Sequence, residues 1–407
     1  MGREYAALAA ASIIIVILAS VSIYIVLNID DENPYELIET YSTNRFTFPE
    51  NYTVDPKIDA SIRLAGNYLI SHMRSDGRWD YEYDPVNNES ASGYNVLRHA
   101  GTTYSLALIF KYTRDLRYYN GTILTLNYLL HKYMDYEKVD GMEISYVRSG
   151  GRIKLGGAAL SLLALTEIQK MDPEVNYMRE IRGMGNFTLM MITETGKFDC
   201  YYKEDGDHND YYPGEALIAL SKLYDMTGDA RYLEGLNRSW EFYVDFYGSG
   251  VYTPFTPWGV ESLVYMHSVT NDTKYSNLAL IMGHRATLGQ LTEGFKGDPR
   301  YVGGFGNPPG STTASKIEGV VDAFLLAGRM NDTYYTDLYS RHIRLAKDFL
   351  IRLQFNETDA GDYPDPERSV GGVPGSYQKT SVRIDYVQHT AVTLIKMMVY
   401  ENSLEHI

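Results

Sequence analysis

The sequence predicts an all-α domain built as an (α/α)6 toroid, six helical hairpins closed into a ring with short β-hairpin loops at one rim. Three observations predict it. A joint phrase recurs at Thr113, Asp115 and Tyr118, at Thr227, Asp229 and Tyr232, at Thr270, Asp272 and Tyr275, and at Met330, Asp332 and Tyr335, with a degenerate copy at Met171, Asp172 and Tyr177. Asp at such a joint caps the following helix, and Tyr one turn later packs back on a preceding one. Between the joints, helical segments alternate between an apolar kind and a more charged kind, at a repeat of roughly 45 to 60 residues that signals an array of hairpins. The longer connections instead share glycine-aromatic punctuation at Gly77-Arg78-Trp79, Gly196-Lys197-Phe198, Gly303-Gly304-Phe305 and Gly371-Gly372-Val373, which suits tight reversals and short β-hairpins.

Taken in order, residues 6–27 carry no charge and are long enough to span a bilayer as a helix. Arg3 precedes this run and Asp30, Asp31 and Glu32 follow it, so residues 1–28 read as a signal-anchor with its N-terminus in the cytoplasm and the rest of the chain outside. A cleaved signal peptide is the alternative. Residues 29–56, acidic and interrupted by Pro34, Pro49 and Pro56, read as a stalk or strap. Residues 57–407 form the barrel. Its apolar helices are expected at 94–112, 156–170, 213–226, 257–269, 313–330 and 382–400. The more charged ones are expected at 57–73, 115–133, 174–192, 229–246, 272–291 and 332–353, the first of them pairing with the last apolar helix to close the ring.

With 407 residues and 44% hydrophobic content, the chain can bury one large core. A net charge of -15 and the lack of a basic cluster exclude a nucleic-acid partner. Acceptors of the Asn-x-Ser/Thr type at Asn51, Asn88, Asn120, Asn186, Asn237, Asn271, Asn331 and Asn356 fit a glycosylated, extracellular surface. The single cysteine, Cys200, cannot form an internal disulfide or a multi-cysteine zinc site.

The twelve-helix order, with the phrases Tyr212-Pro213-Gly214-Glu215-Ala216-Leu217 and Arg383-Ile384-Asp385-Tyr386, resembles the six-hairpin glycosidase-type (α/α)6 barrel over residues 57–401. Glycoside hydrolases, polysaccharide lyases and sugar epimerases share that shape, and the fold does not choose among them. The related terpenoid-cyclase toroids fit less well, since the chain has no Asp-x-Asp-Asp motif, and lanthionine cyclases need paired cysteines.

The resemblance implies that the first turns of the apolar, inner helices line a common cleft. Those turns bring Arg98, His99 and Tyr104, then Lys154, then Tyr211, Tyr212 and Glu215, then Trp258 and Glu261, then Lys316 and Glu318, and finally Arg383, Asp385, Tyr386, Gln388 and His389. Asp385, Gln388 and His389 stand at i, i+3 and i+4, three polar groups on one helix face where apolar packing is due. Aromatic faces stack on sugar rings, polar forks bind hydroxyls, and paired acids divide general-acid and general-base work. Each residue also has a bland reading. Glu318 completes a capping box with Ser315, Glu215 and Glu261 gain from the helix dipole, and Asp385 fits a structural pair with Arg383.

Three functions remain open at this point. The first is a membrane-anchored carbohydrate-active enzyme, most simply a glycoside hydrolase with Asp385 as base and Glu215, Glu261 or Glu318 as acid. Arg98, Arg383, Lys154 and Lys316 would suit anionic, uronate-containing glycans. The second is a sugar epimerase using His99, His389 and a tyrosine. The third is a glycan-binding toroid without turnover. No cofactor or catalytic metal is expected; a structural Ca²⁺ at Asp205, Asp207 and Asp210 is the less favoured reading of an acidic loop that departs from EF-hand spacing.

Overall fold

The computed structural model describes residues 55–404 except 207, 249, 251 and 252. The expected membrane span and all but the end of the strap lie outside the described residues, among which no helix is long and apolar enough to cross a membrane.

Along the chain run α1 (Pro56–Ser71), β1 (Glu82–Asp84), β2 (Glu89–Ser90), α2 (Val96–Thr113), α3 (Leu116–Tyr133), β3 (Met134–Val139), β4 (Met142–Ser149), β5 (Arg152–Ile153), α4 (Leu155–Met171) and α5 (Met178–Met190). Then come α6 (Tyr212–Thr227), α7 (Ala230–Gly248), α8 (Thr256–Thr270), α9 (Thr273–Thr287), α10 (Thr312–Arg329) and α11 (Thr333–Leu353). Two short helices, α12 (Glu357–Ala360) and α13 (Pro366–Ser369), precede β6 (Pro374–Ser376), β7 (Lys379–Arg383) and α14 (Ile384–Leu404).

Helices α2, α4, α6, α8, α10 and α14 each touch the next, and α14 touches α2, so they close an inner ring. Around it, α1 packs on α14, while α3, α5, α7, α9 and α11 pack on the inner helix each follows. This is the expected toroid with its expected closure. Because the inner helices meet protein on every side, α4 buries nearly its whole surface from Leu155 to Ile168, whereas outer α11 buries one stripe that includes Tyr339, Ile343, Ala346 and Leu350.

The joints work as their sequence implies. Asp115, Asp272 and Asp332 each accept a backbone N–H from the helix they cap. The tyrosine that follows reaches the preceding outer helix: Tyr118 donates to Asn67 of α1 at 3.0 Å, and Tyr275 to Asn237 of α7 at 3.1 Å. Near Asp332 that task passes one turn on, to Tyr339, whose hydroxyl donates to the Leu280 carbonyl at 2.5 Å. Two helix starts differ from expectation. Helix α5 begins at Met178 rather than 174, because the Asp172 and Gln169 side chains hold Glu174, Val175 and Tyr177 in a longer turn. Val382 and Arg383, expected in the last helix, end β7 and pair with Tyr83 and Glu82 of β1.

The long connections gather where inner helices start. Bridges between Met73 and Trp79 and between Ile192 and Phe198 are the short reversals expected around Gly77 and Gly196. Gly303 and Gly371 hold positive φ, 93° and 86°, and press against the Leu345 and Leu64 carbonyls of the neighbouring outer helices, where a Cβ has no room. Two antiparallel sheets complete this rim, in the orders β2-β1-β7-β6 and β3-β4-β5. The β3-β4 hairpin is longer than any loop strand the sequence suggested.

Candidate active site at the loop-rich rim

The inner helices deliver their first turns to a cleft of about 280 Å³. Helix α2 contributes Arg98, α6 brings Tyr212 and Glu215, α8 brings Trp258, and α14 brings Asp385, Gln388 and His389. Proline at the start of α6 and of α8 sets these two helix entries, since its fixed φ suits the first turn and its missing N–H is not needed there.

Asp385 forms one wall. Arg383 binds it in two-point fashion, Nε to Oδ1 at 3.0 Å and Nη2 to Oδ2 at 2.8 Å, and Arg98 Nε meets Oδ2 at 3.1 Å. Arg98 is in turn hydrogen-bonded to the Tyr81 hydroxyl. Arg383 stands behind Asp385, stacked over the Tyr386 ring at 4.3 Å, and neither Arg383 nor Tyr386 lines the cleft. Gln388 is buried against Gly101 and accepts a hydrogen bond from Thr102 at 3.4 Å.

Glu215 forms the opposing wall. It is buried, and its Oε2 has no hydrogen-bond partner among the described residues. Burial pushes its carboxyl up to about 7, partly offset by the nearby charge of His389, so it holds a proton near neutrality. Gly156 of α4 makes room for this carboxyl; a Cβ there would run into Oε2 and the Tyr212 ring. His389 gives Nδ1 to Glu318 Oε2 at 3.0 Å and lies 6.0 Å, ring to ring, from Trp258. Burial alone would lower its proton affinity, but the hydrogen bond and charge of Glu318, with Asp385 and Glu215, raise it above the ordinary histidine value. Tyr211, half exposed, and the edge of Tyr212 supply aromatic surface at the mouth, beside His208.

The remaining expected residues lie elsewhere. His99 points into the core, between the Tyr94 hydroxyl at 2.5 Å and the Thr125 carbonyl at 2.9 Å, with Trp79 and Tyr128 against its ring. Burial lowers its proton affinity to about 4, as expected of a neutral core histidine. Tyr104 and Glu261 line a second cavity toward the C-terminal ends of the inner helices. Glu318 is buried between the two cavities. Lys154 precedes α4 and pairs through its backbone with Tyr201, and Lys316 lies over the Phe305 ring at 5.0 Å; neither lines the cleft. Of the acidic loop, Asp207 is outside the described residues, and no group of three or more His, Cys, Asp or Glu that could hold a metal occurs among the described ones. Sequence reasoning missed His208 and Tyr81 as cleft and support residues. The Tyr201-Tyr202 and Tyr211-Tyr212 pairs flanking the His208 loop were the available signal.

Solved structures share this architecture at low sequence identity. The GH76A α-1,6-mannanase from Salegentibacter sp. HEL1_6 matches with a TM-score of 0.62 at 13% identity, covering 84% of this chain and 99% of its own. A D-mannose isomerase matches with 0.60 at 14% identity, covering 85% and 100%. The fold shared with these structures is the (α/α)6 barrel. An unsaturated glucuronyl hydrolase specific for heparin shares it with a TM-score of 0.56 at 10% identity, covering 87% and 99%. No protein-family model and no curated protein matches the sequence. At such identities the likeness establishes the barrel, and the cleft must speak for the chemistry.

Proposed function

We propose that the chain is a membrane-anchored, extracytoplasmic carbohydrate-active enzyme, a glycoside hydrolase with Glu215 as general acid and Asp385 as the carboxylate that activates water. One observation carries the reading: a proton-holding carboxyl with an unpartnered oxygen and a carboxylate held by two arginines line the same cleft. A proton-holding acid and a carboxylate lining one cleft can divide the roles of donor and base. Glu215 gives its proton to the glycosidic oxygen as the bond to the anomeric carbon breaks. Water adds to that carbon and its proton passes to Asp385; the cycle closes when Asp385 releases that proton to solvent and Glu215 takes one up. Tyr211, Tyr212 and Trp258 offer faces and edges for sugar stacking.

A neutral hexose fits the cleft better than a uronate. Arg98 and Arg383 are taken up by Asp385, and the two lysines expected to bind an anion do not line the cleft. The Salegentibacter mannanase, in inactive variants, is known in complex with α-1,6-mannotetrose and α-1,6-mannotriose, which supports manno-oligosaccharides as first substrates to try. The extracytoplasmic placement is supported by the uncharged stretch 6–27 and the eight glycosylation acceptors.

The His389-Glu318 pair beside Glu215 favours a second reading, a sugar isomerase or epimerase that moves a proton on and off carbon. The epimerase reading of the sequence also used His99; its place in the core removes it from that chemistry. Incubating the soluble domain with neutral and uronate-containing oligosaccharides in D₂O separates the readings. New reducing ends support hydrolysis, deuterium in an uncleaved sugar supports isomerisation, and tight binding with neither leaves a glycan-binding toroid and sinks both.

A further inference from the structure

The second cavity, about 260 Å³, is lined by Lys111, Glu167, Lys222, Glu261, Asp322 and Lys396. Its charges are paired across the barrel axis. Lys396 Nζ meets Asp322 Oδ2 at 2.7 Å and Glu261 Oε2 at 2.8 Å; Lys222 meets Glu261 Oε1 at 2.8 Å; Lys111 meets Glu167 at 3.0 Å. Glu318 joins this cluster to the cleft. Its Oε1 lies 3.8 Å from Lys396 Nζ and its Oε2 accepts from His389 at 3.0 Å, one oxygen toward each cavity. The spacing follows from the helices: His389 and Lys396 are two turns apart on α14, about 10 Å, and Glu318 and Asp322 one turn apart on α10.

Counting charge along this axis gives four carboxylates, Glu167, Glu261, Glu318 and Asp322, against three ammonium groups, Lys111, Lys222 and Lys396. The row is neutral only when one further proton sits on it. Two places can hold that proton. At the cleft end is His389, faced by Glu318 of α10, Glu215 of α6 and Asp385 of its own helix. At the far end is Asp322, faced by Lys396 of α14, Glu261 of α8 and Glu318 of its own helix.

We infer that Glu318 is a positioning residue that makes His389 and Asp322 share one proton, so that the charge of the cleft histidine is set partly from the opposite end of the barrel. Glu318 fixes the imidazole by its Nδ1 edge and passes on the charge state of the Lys396 cluster. Burial together with the Glu261 charge raises the proton affinity of Asp322, and Glu318 raises that of His389, as two competitors for one proton require. The functional meaning rests on the cleft being catalytic, because a neutral His389 would no longer pull the Glu215 proton affinity down. The linkage itself needs no turnover to be measured.

The test is a pH titration of the His389 Cε1–H signal by NMR, in ¹³C-histidine-labelled protein assigned with His389→Gln. Asp322→Asn, which removes a negative charge about 10 Å away through a partly dry interior, should lower the His389 midpoint by about one pH unit. Glu318→Gln should lower it further, while the exposed control Asp225→Asn leaves it in place. Should Asp322→Asn fail to fold, the reciprocal experiment decides, since the Asp322 carboxyl carbon must titrate higher in His389→Gln than in wild type. A His389 midpoint unmoved by Asp322→Asn in folded protein, or an Asp322 midpoint unmoved by His389→Gln, overturns the linkage. Loss of all sugar turnover with both shifts present would instead count against the function proposed for the cleft and leave the shared proton standing.

Discussion

Replacing Glu215 with Gln should change how stability depends on pH, and the size of the change follows from the site. The ordinary value for a glutamate is 4.5 and burial lifts Glu215 to about 7. Below about pH 4.5 the carboxyl is protonated in folded and unfolded chains alike. Between 4.5 and 7 the unfolded chain gives up its proton while the folded chain keeps it, so stability falls as pH rises; above about 8 the slope is gone. At about 1.4 kcal/mol per pH unit, the folded state should lose about 3 kcal/mol on this group's account. Gln cannot ionise, so the stability of Glu215→Gln relative to wild type should rise by that amount between pH 4 and 8. For a domain of roughly 350 residues this is about 4 °C in Tm. Urea unfolding of both proteins across that range gives the difference curve, in which the contribution of the distant, buried His99 cancels. Parallel curves would mean that Glu215 titrates in the folded chain as it does in the unfolded one, and the general-acid assignment would fall with its physical basis. In an active preparation the same substitution should cost about 10²- to 10⁴-fold in kcat.

Three further outcomes follow from the geometry. Gly156→Ala should push the Glu215 carboxyl off its seat beside Tyr212, cutting kcat by an order of magnitude or more and lowering the pH at which Glu215 titrates, read from the same difference curve. Tyr211→Ala, at a half-exposed position, should raise KM several-fold with Tm unchanged, measured by initial rates on oligosaccharides of increasing length. His99 contributes stability that is present above pH 6.5 and lost as pH falls toward 4, because the unfolded chain takes up a proton there that the buried ring refuses. His99→Gln should therefore flatten acid-side denaturation while leaving the pH profile of turnover in place, and a shifted profile would return His99 to the site.

The ring of hairpins was legible because its signals are local. Asp115, Asp272 and Asp332 announce a helix start within three residues, and the apolar-then-charged alternation needs no knowledge of partners. Residues in the first turn of a helix can also be read this way. Arg98, Glu215, Trp258, Asp385 and His389 all reach the cleft because a known helix start and a known rim are enough to place them. His99 is the counter-example. It is next to Arg98, yet the rotation of one residue on α2 aims it at α3 and the Trp79 loop instead of the axis, and neither neighbour is specified by the sequence around it. The β3-β4 hairpin was missed for a related reason: its register depends on pairing rather than on a turn phrase.

Lys111, Glu167, Lys222, Asp322 and Lys396 escaped attention because an amphipathic reading gives a helix two sides, one toward the core and one toward solvent. An inner helix of a closed ring has a third, facing the axis, where a charge is partly covered and paired. Leaving the well-covered Glu167, Glu261, Asp322 or Lys396 without a partner would cost several kcal/mol, so the cluster is tolerable only when six helices bring complementary charges to within about 4 Å of each other. That makes ring closure and charge pairing one event: a hairpin that fails to dock strands a lysine or a carboxylate in the interior. The arrangement also explains why the proton chemistry of the cleft is not confined to the cleft. Glu215, near the N-terminal rim, answers mainly to its own burial, whereas His389 answers to Glu318, whose other oxygen faces Lys396 two turns below. A barrel whose axis is lined with paired charges therefore sets the charge of one cleft residue through the whole length of its inner wall.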